Sequence, residues 1–509
     1  MNLDKILSNK RALYAGLALV AFSLVYTSTL NPLLNRVMHI DTTVYMSITQ
    51  GLSQGLVLYR DLADNKGPLL YFMSLPGFRL AGLTGVWIGQ FVFMYVSLFF
   101  MYKTALLFAG AKTAFLTVAF TSLAMHPFYV VHAGVEEYAL PFLAASLYIF
   151  TKHYLSGKGT AFWEIVVLGF SFAWAIMLRL NMFPLWAGFC LVIVIEAAAK
   201  KNFAEIFKYI GAFILGTLAV LFPVFLYLWR SDILVDFYYN VILGSTERGF
   251  LLSLQSFVHN FYAIINRSFS FIPLCIAIAW VFIKYKGISN FYFAGFILSY
   301  FLSVLFLSFA PGGENWNLIL IPFFVPVIAF LSDSFLNSFK TKYKHAALIL
   351  VFCITFSEGV VRMGFYFFFP IDSGIPYRNA GRIIDENTTP YDTMISLGWG
   401  ANIYPFANRR PASRFLFQNE PDGYRPGAFD HMPDARGEFI AAILNNPPKI
   451  IVFLVNANGQ AYQLHPSWHA PILGMMETHY RLLYGDHRVR IFIREDAETD
   501  TAEFANSRI

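Results

Sequence analysis

The 509-residue chain is 57% hydrophobic and 18% aromatic but only 13% charged, with a mean hydropathy of +0.55, whereas a soluble domain carries about a quarter charged residues. An ordinary soluble globule is excluded, and the composition is that of a multispanning membrane protein. The net charge of +6 does not indicate nucleic acid, because the lysines sit in short loops between apolar runs, where they set orientation.

Cys190, Cys275 and Cys353 all fall inside apolar runs, without paired spacing or a neighbouring histidine. They predict core packing rather than a disulfide framework or a metal knuckle. The chain opens with a short basic segment (Lys5, Lys10, Arg11), followed by ALYAGLALVAFSLVYTSTL. That run is too long for a signal-peptide core and lacks a small-x-small cleavage site, so it predicts a retained first span.

Straight after it comes a polar stretch from Asp41 to Pro68 that offers Asp41, Asp61 and Asp64, with Arg60 and Lys66, and Tyr45 and Tyr59 among them. A solvated loop whose charges simply avoid lipid would look similar. The apolar piece Gly67–Gly82 is short and broken by Pro76 and Gly77, which predicts an interfacial or re-entrant helix closing this loop. Further runs at about 85–102, 113–131, 138–151, 162–178, 182–199, 209–229, 268–283, 291–310, 317–333 and 346–366 bring the expected count to about eleven spans, with the termini on opposite sides.

With the N-terminus cytoplasmic, fourteen of the sixteen lysines fall in inner loops. The exceptions are Lys449 in the tail and Lys66, in the first outer loop. Arginine does the reverse: Arg36, Arg60, Arg79, Arg179, Arg230, Arg248, Arg267 and Arg362 all lie at or near the outer face. A planar guanidinium suits bidentate phosphate binding, which suggests a phosphorylated ligand there. Snorkelling to lipid headgroups accounts equally for some of them.

After the last run the pattern turns to short β stretches among helical ones, MISLGW at 394–399, KIIVFLV at 449–455 and VRIFIR at 489–494. The expected domains are therefore a membrane region, 1–369, with its first outer loop at 31–84, and a small soluble α/β domain, 370–509, outside the membrane.

A second acidic element lies between the third and fourth spans, HAGVEEYALP, with Glu136 and Glu137 adjacent at the start of a helix. Dipole capping alone favours acids there. Yet carboxylates in two outer loops, together with arginines and one isolated lysine, also suit group transfer from a phosphate-linked donor. Such a reaction needs a base to deprotonate an acceptor hydroxyl and cations to hold the departing phosphate. It needs no strong general acid, unlike a glycoside hydrolase.

The succession of Asp41, GLVLYRDLADNKGPLLYF, GVEEYALPF and MLRLNMFP resembles the bacterial branch of the polyprenyl-phosphate-sugar-dependent glycosyltransferases with the C-type superfold. That family includes protein O-mannosyltransferases and the aminoarabinose transferases of lipid A. The resemblance implies a polytopic helical membrane fold with an extracytoplasmic domain after the last span, and an inverting transfer of a sugar to an acceptor hydroxyl at the outer face of a cytoplasmic membrane. It implies a polyprenyl-phosphate-sugar donor and a lipid, glycan or protein acceptor. By the same resemblance Asp41 matches the first-loop catalytic acid and Glu136 the second-loop acid, with Glu137 beside it. Lys66, in NKGP, and Arg179 match elements near the donor phosphate, with Arg60 or Arg248 in support. Asp61, Asp64, Tyr59 and Tyr45 are further cavity candidates.

The chain also departs from the family pattern. Asp41 is followed by Thr42 rather than a second acid, and PGGENWN stands where relatives often have a histidine-tyrosine pair, which makes Asn315 and Trp316 cavity candidates with open roles. In the tail, Arg410 or Arg414 could reach the cleft, or serve domain packing. His126 and His132 with Glu136 and Glu137 satisfy no metal-binding spacing. No cofactor is required, and a divalent ion bridging Asp41 and Glu136 is compatible with the residues without being indicated. The competing classes are a lipid-linked glycan scramblase or flippase and a glycan polymerase or ligase. Against ion-coupled transport, the mid-span positions are nearly free of charge.

Overall fold

Helix α1 (Lys10–Tyr26) begins where the Asn9 side chain accepts from Arg11 N at 3.0 Å, a standard N-cap that satisfies an orphan donor. It ends where Thr27 Oγ1 turns back to the Leu24 carbonyl at 2.7 Å. The computed structural model describes residues 9–129, 131–156, 159–244, 257–262, 289–309, 314–338, 343–369, 373–398, 401–416, 434–455 and 466–495. The run at 268–283 and Arg248 lie outside the described residues.

Helix α2 (Ile40–Ser53) is rich in polar residues, yet every residue from Thr42 to Leu52 is buried. Burial of hydroxyls is tolerated because they bond locally: Ser47 Oγ donates to Thr43 O at 2.6 Å and Thr49 Oγ1 to Tyr45 O at 2.8 Å. The helix lies between the apolar bundle and the C-terminal sheet.

Helix α3 (Leu69–Ala105) breaks at Ala81 and Gly82, where Gly82 adopts φ 57° and ψ −140°, a region open to glycine alone. The two arms cross so closely that a Cβ on Gly85 would lie 1.9 Å from the Gly77 carbonyl oxygen. The first arm is the segment read as an interfacial helix, and the second contains the run at 85–102.

The bundle continues through α4 (Ala111–Met125), α5 (Val135–Leu155), α6 (Phe162–Leu178), α7 (Pro184–Ala199), α8 (Phe203–Arg230), a short α9 (Leu234–Phe237), α10 (Asn290–Ser308) and α11 (Ile321–Ser338). Helices α6 and α8 approach backbone to backbone, since a Cβ on Gly169 would meet Phe213 O at 2.0 Å and one on Gly216 would meet Val166 O at 1.9 Å. Small residues at such crossings are the usual device for helix packing in lipid.

Among the described residues, four helical stretches are long and apolar enough to cross a membrane: Leu69–Ala105, Phe203–Arg230, Asn290–Ser308 and Asn315–Ser338. Most of the other apolar helices fall short of the roughly 20 residues a full span needs, because they stop in buried polar turns such as the 3₁₀ turn His126–Phe128 with its Pro127. The run at 346–366, read as one span, is two helices, α12 (Lys344–Thr355) and α13 (Ser357–Phe368), bent by 80°. At the bend Phe356 leaves the helical region, and Gly359 presses on the Leu123 carbonyl of α4 so tightly that a Cβ would lie 2.0 Å from it.

The C-terminal part forms a five-stranded sheet of order β2-β1-β3-β5-β4, from β1 (Thr393–Leu397), β2 (Arg410–Pro411), β3 (Ile450–Leu454), β4 (Tyr480–Gly485) and β5 (Val489–Arg494). Strands β1, β2 and β3 are parallel, and β5 is antiparallel to both β3 and β4. Helices α14 (Ile375–Glu386), α15 (Tyr404–Ala407), α16 (Ala435–Asn445) and α17 (Pro466–His479) accompany the strands.

This part docks on the first loop. Ala401 N donates to Thr43 Oγ1 at 3.3 Å, Ala63 N to Arg414 O at 2.9 Å, and Gly374 N to Asn35 O at 2.6 Å.

Candidate active site

Glu136 and Glu137 occupy the first turn of α5, one residue apart and therefore about 100° apart around the helix. Each faces a different set of partners. Glu136 Oε1 accepts from Arg179 Nη1 at 2.7 Å, and its Oε2 accepts from Asn315 Nδ2 at 3.0 Å. The Arg179 guanidinium also lies over the Trp316 ring, 4.8 Å from its centroid. Three segments distant in sequence thus converge on one buried ion pair: the start of α5, the extended residue that ends α6, and the 3₁₀ turn Glu314–Leu320. A half-buried arginine held by a buried carboxylate and an aromatic face is orientationally constrained.

Lys66 reaches the same place through the backbone. Gly67 N donates to Leu178 O at 3.1 Å, and a Cβ on Gly67 would lie 1.8 Å from Met177 O, so the NKGP turn can close on the end of α6 only with glycine there. Lys66 and Arg179 each stand one residue from this junction. The turn is braced by Tyr59, whose hydroxyl donates to Lys66 O at 2.8 Å. Tyr59 itself is fully buried at φ 66°. Lys66 Nζ bonds Asn65 Oδ1 at 2.5 Å.

Asp41 sits in the first turn of α2, half-buried, with its amide bonded to His39 Nδ1 at 3.2 Å. Tyr45, four residues on, shares its helix face. Burial holds the Tyr45 phenol well above the usual tyrosine range; the charges of Asp41, Asp64 and Glu136 push the same way and Arg179 opposes them. One hydroxyl therefore feels the charges of both loops. Tyr71 meets the Tyr45 ring edge-on at 6.3 Å and donates a short hydrogen bond to Asp64 Oδ2. Asp64 Oδ1 accepts from Asn65 N at 2.7 Å.

Four other expected residues face elsewhere. Arg60 and Asp61 pair with each other (Nε to Oδ1, 3.2 Å) at the loop's exposed edge, and Asp61 Oδ2 caps Val57 N at 2.7 Å. Arg414 bonds Asp236 Oδ1 at 3.4 Å and Glu438 Oε2 at 2.6 Å, and Arg410 Nη2 donates to Gln54 O at 3.1 Å. Both of these arginines join the sheet to its surroundings, which is the domain-packing reading.

Glu137 is buried among groups that the motifs did not single out. Its Oε2 accepts from Gln90 Nε2 at 2.8 Å and from Ala133 N at 2.7 Å, and its Oε1 accepts from the Tyr129 hydroxyl at 2.6 Å. Gln90 in turn accepts from Ser28 Oγ at 2.9 Å. The available signal was Gln90 itself, the lone amide in the run at 85–102, since a buried amide needs partners.

Among the described residues no group of three or more His, Cys, Asp or Glu side chains is arranged to hold a metal. His126 stacks on Tyr366 at 5.3 Å, and His132 Nδ1 lies 3.2 Å from Thr29 Oγ1. Burial pushes the His132 imidazole down to about 3.

No protein-family model matches the chain, and no curated protein matches its sequence. Solved structures do match. ArnT from Cupriavidus metallidurans bound to undecaprenyl phosphate superposes with a TM-score of 0.63 at 12% identity, over 95% of this chain and 98% of that one. The archaeal oligosaccharyltransferase AglB from Archaeoglobus fulgidus, in complex with an inhibitory peptide and a dolichol-phosphate, gives a TM-score of 0.54 at 11% identity, over 96% of this chain and 74% of that one. An Archaeoglobus fulgidus oligosaccharyltransferase complex with Zn and sulfate gives 0.50 at 13% identity, over 97% and 80%. At these identities the likeness establishes the fold, and the fold of this chain is the C-type glycosyltransferase fold that its sequence motifs resemble.

Proposed function

We propose that the chain is an integral membrane glycosyltransferase that moves a sugar from a polyprenyl-phosphate-linked donor to an acceptor hydroxyl at the extracytoplasmic face. The observation that carries this reading is the Arg179 guanidinium, held between Glu136 and Trp316, with Asp41, Glu136 and Arg179 all near enough to act on the Tyr45 phenol, in a fold whose solved representatives bind undecaprenyl phosphate or dolichol-phosphate.

In this reading Asp41 removes the proton from the acceptor hydroxyl as its oxygen attacks the anomeric carbon. The bond from that carbon to the phosphate oxygen breaks, and the polyprenyl phosphate leaves with its charge against Arg179 and Lys66. A single displacement inverts the anomeric centre. Glu136 already accepts two strong hydrogen bonds, so its part is to aim Arg179, while Asp41 is the more exposed carboxylate and suits the base. We further propose an inner-membrane multi-pass location with a cytoplasmic N-terminus, an extracytoplasmic sheet domain over 370–509, and about eleven spans, with the shorter apolar helices among them.

The test is sugar release from a panel of radiolabelled polyprenyl-phosphate sugars by the purified protein, with membrane extract supplied as acceptor. Turnover of one donor, reduced about 10²- to 10⁴-fold in Asp41→Asn as expected for loss of a general base, supports the reading. Turnover unchanged in Asp41→Asn removes Asp41 as the base, and no turnover of any donor by folded protein removes the transferase reading.

A further inference from the structure

The loop joining α4 to α5 is gripped from two sides, and each grip belongs to the residue next to a cleft carboxylate. From α5, Glu137 takes Ala133 N at 2.7 Å and the Tyr129 hydroxyl at 2.6 Å. From α2, Thr42 Oγ1 donates to His132 O at 3.0 Å and accepts from His132 N at 3.1 Å, using both capacities of one hydroxyl on one residue. The Tyr129 and His132 rings meet edge-on at 4.7 Å, so the two grips touch. Between them Ala133 is held at φ 53°, a left-handed conformation that costs a non-glycine residue about 1 kcal/mol or more and persists only where the surroundings over-determine it. Thr42, Glu137 and His132 are all buried, at 0%, 1% and 4% exposure, and Glu137 is anchored behind to Gln90 and Ser28.

From this geometry we infer that Glu137 and Thr42 are positioning residues that set the separation of Glu136 and Asp41 through the loop at 129–134. Glu136 follows α5 and Asp41 follows α2, and the loop is a direct hydrogen-bonded link between those two helices at this end. Neither Glu137 nor Thr42 has an oxygen left over for substrate in this arrangement. The inference rests on the transferase reading for its catalytic consequence but not for its structural one, and the two are tested separately.

Hydrogen–deuterium exchange on the full-length protein in detergent tests the link. In Glu137→Gln, exchange speeds up in the segment 39–48 as well as in 129–138, although 39–48 is remote in sequence. Thr42→Val gives the same pattern, and the double variant is no worse in either segment than the stronger single one. Faster exchange confined to 129–138 in Glu137→Gln overturns the link, whether or not any donor is ever turned over. With a donor in hand, kcat falls roughly 10- to 100-fold in both variants, the size expected for a misplacement near 1 Å. KM and binding of undecaprenyl phosphate, used as the probe, stay unchanged, and Thr42→Ser, which keeps the hydroxyl, recovers kcat. Full kcat in folded Thr42→Val, or a failure of Thr42→Ser to recover it, overturns the positioning role. If Glu137→Gln does not fold, exchange in Thr42→Val read at 129–138 carries the same test from the other side.

Discussion

Two adjacent glutamates face two regions that share a helical turn and little else. On the Glu136 side, a carboxylate, a guanidinium, an amide and an indole meet, and the Arg179 charge on which the proposed donor site rests is fixed in place. On the Glu137 side, a carboxylate is closed in by an amide, a phenol and a backbone N–H, with nothing left for a ligand. The difference teaches that an acidic pair at a helix start can divide its labour by rotation alone, one member aiming a cation and the other fastening the loop that leads in.

The largest effect expected from breaking this contrast is on the cleft side. Arg179→Lys, which keeps a positive charge beside the buried Glu136 carboxylate but loses the planar fork, should lower turnover of the donor by about 10²-fold, with a thermal midpoint close to wild type. On the closed side, Glu137→Leu should act on folding: it leaves the Gln90 amide, the Tyr129 hydroxyl and the Ala133 N–H without their acceptor. At about 1–3 kcal/mol for each buried group left unpaired, a destabilisation on the order of 3 kcal/mol is expected, read as a lower thermal midpoint. An Arg179→Lys protein that unfolds as readily as Glu137→Leu would erase the distinction.

The smallest effect sharpens the picture at the loop itself. His132 has its folded pKa pushed down to about 3 from an ordinary value of 6.5, so below 6.5 the unfolded chain binds a proton that the folded one refuses. Stability from this residue is complete above about pH 6.5 and is lost progressively as pH falls toward 3. The thermal midpoint should therefore fall across that window, and His132→Asn should flatten the fall. An unchanged slope in the variant would locate the acid sensitivity elsewhere.

How much of this was legible in the sequence varies by element. The broken helix α3 could be anticipated, because Pro76 and Gly77 interrupt an apolar piece too short to span, although the break itself fell at Gly82. Strands β3 and β5 lie within the stretches read as β and β1 overlaps one, whereas β2 and β4 went unread. Strand β4 is a sheet edge with no buried residue, so YRLLYG has no buried face to impose alternation. The turn at Phe356 was not legible either, since its cause is contact with Leu123, more than two hundred residues away in the chain.

At the candidate site, the residue types and the expectation of an outer face came from local pattern: apolar runs mark membrane helices, lysine asymmetry orients the loops, and motifs that resemble the family's pick out Asp41, Lys66, Glu136 and Arg179. Those features are local because hydropathy and loop charge act within one segment at a time. Which glutamate meets Arg179, why position 67 must be glycine, and how Thr42 comes to hold His132 are decided by approaches between segments tens to hundreds of residues apart. Such approaches depend on helix rotation and on gaps of an ångström or two, and only the packed tertiary structure sets those.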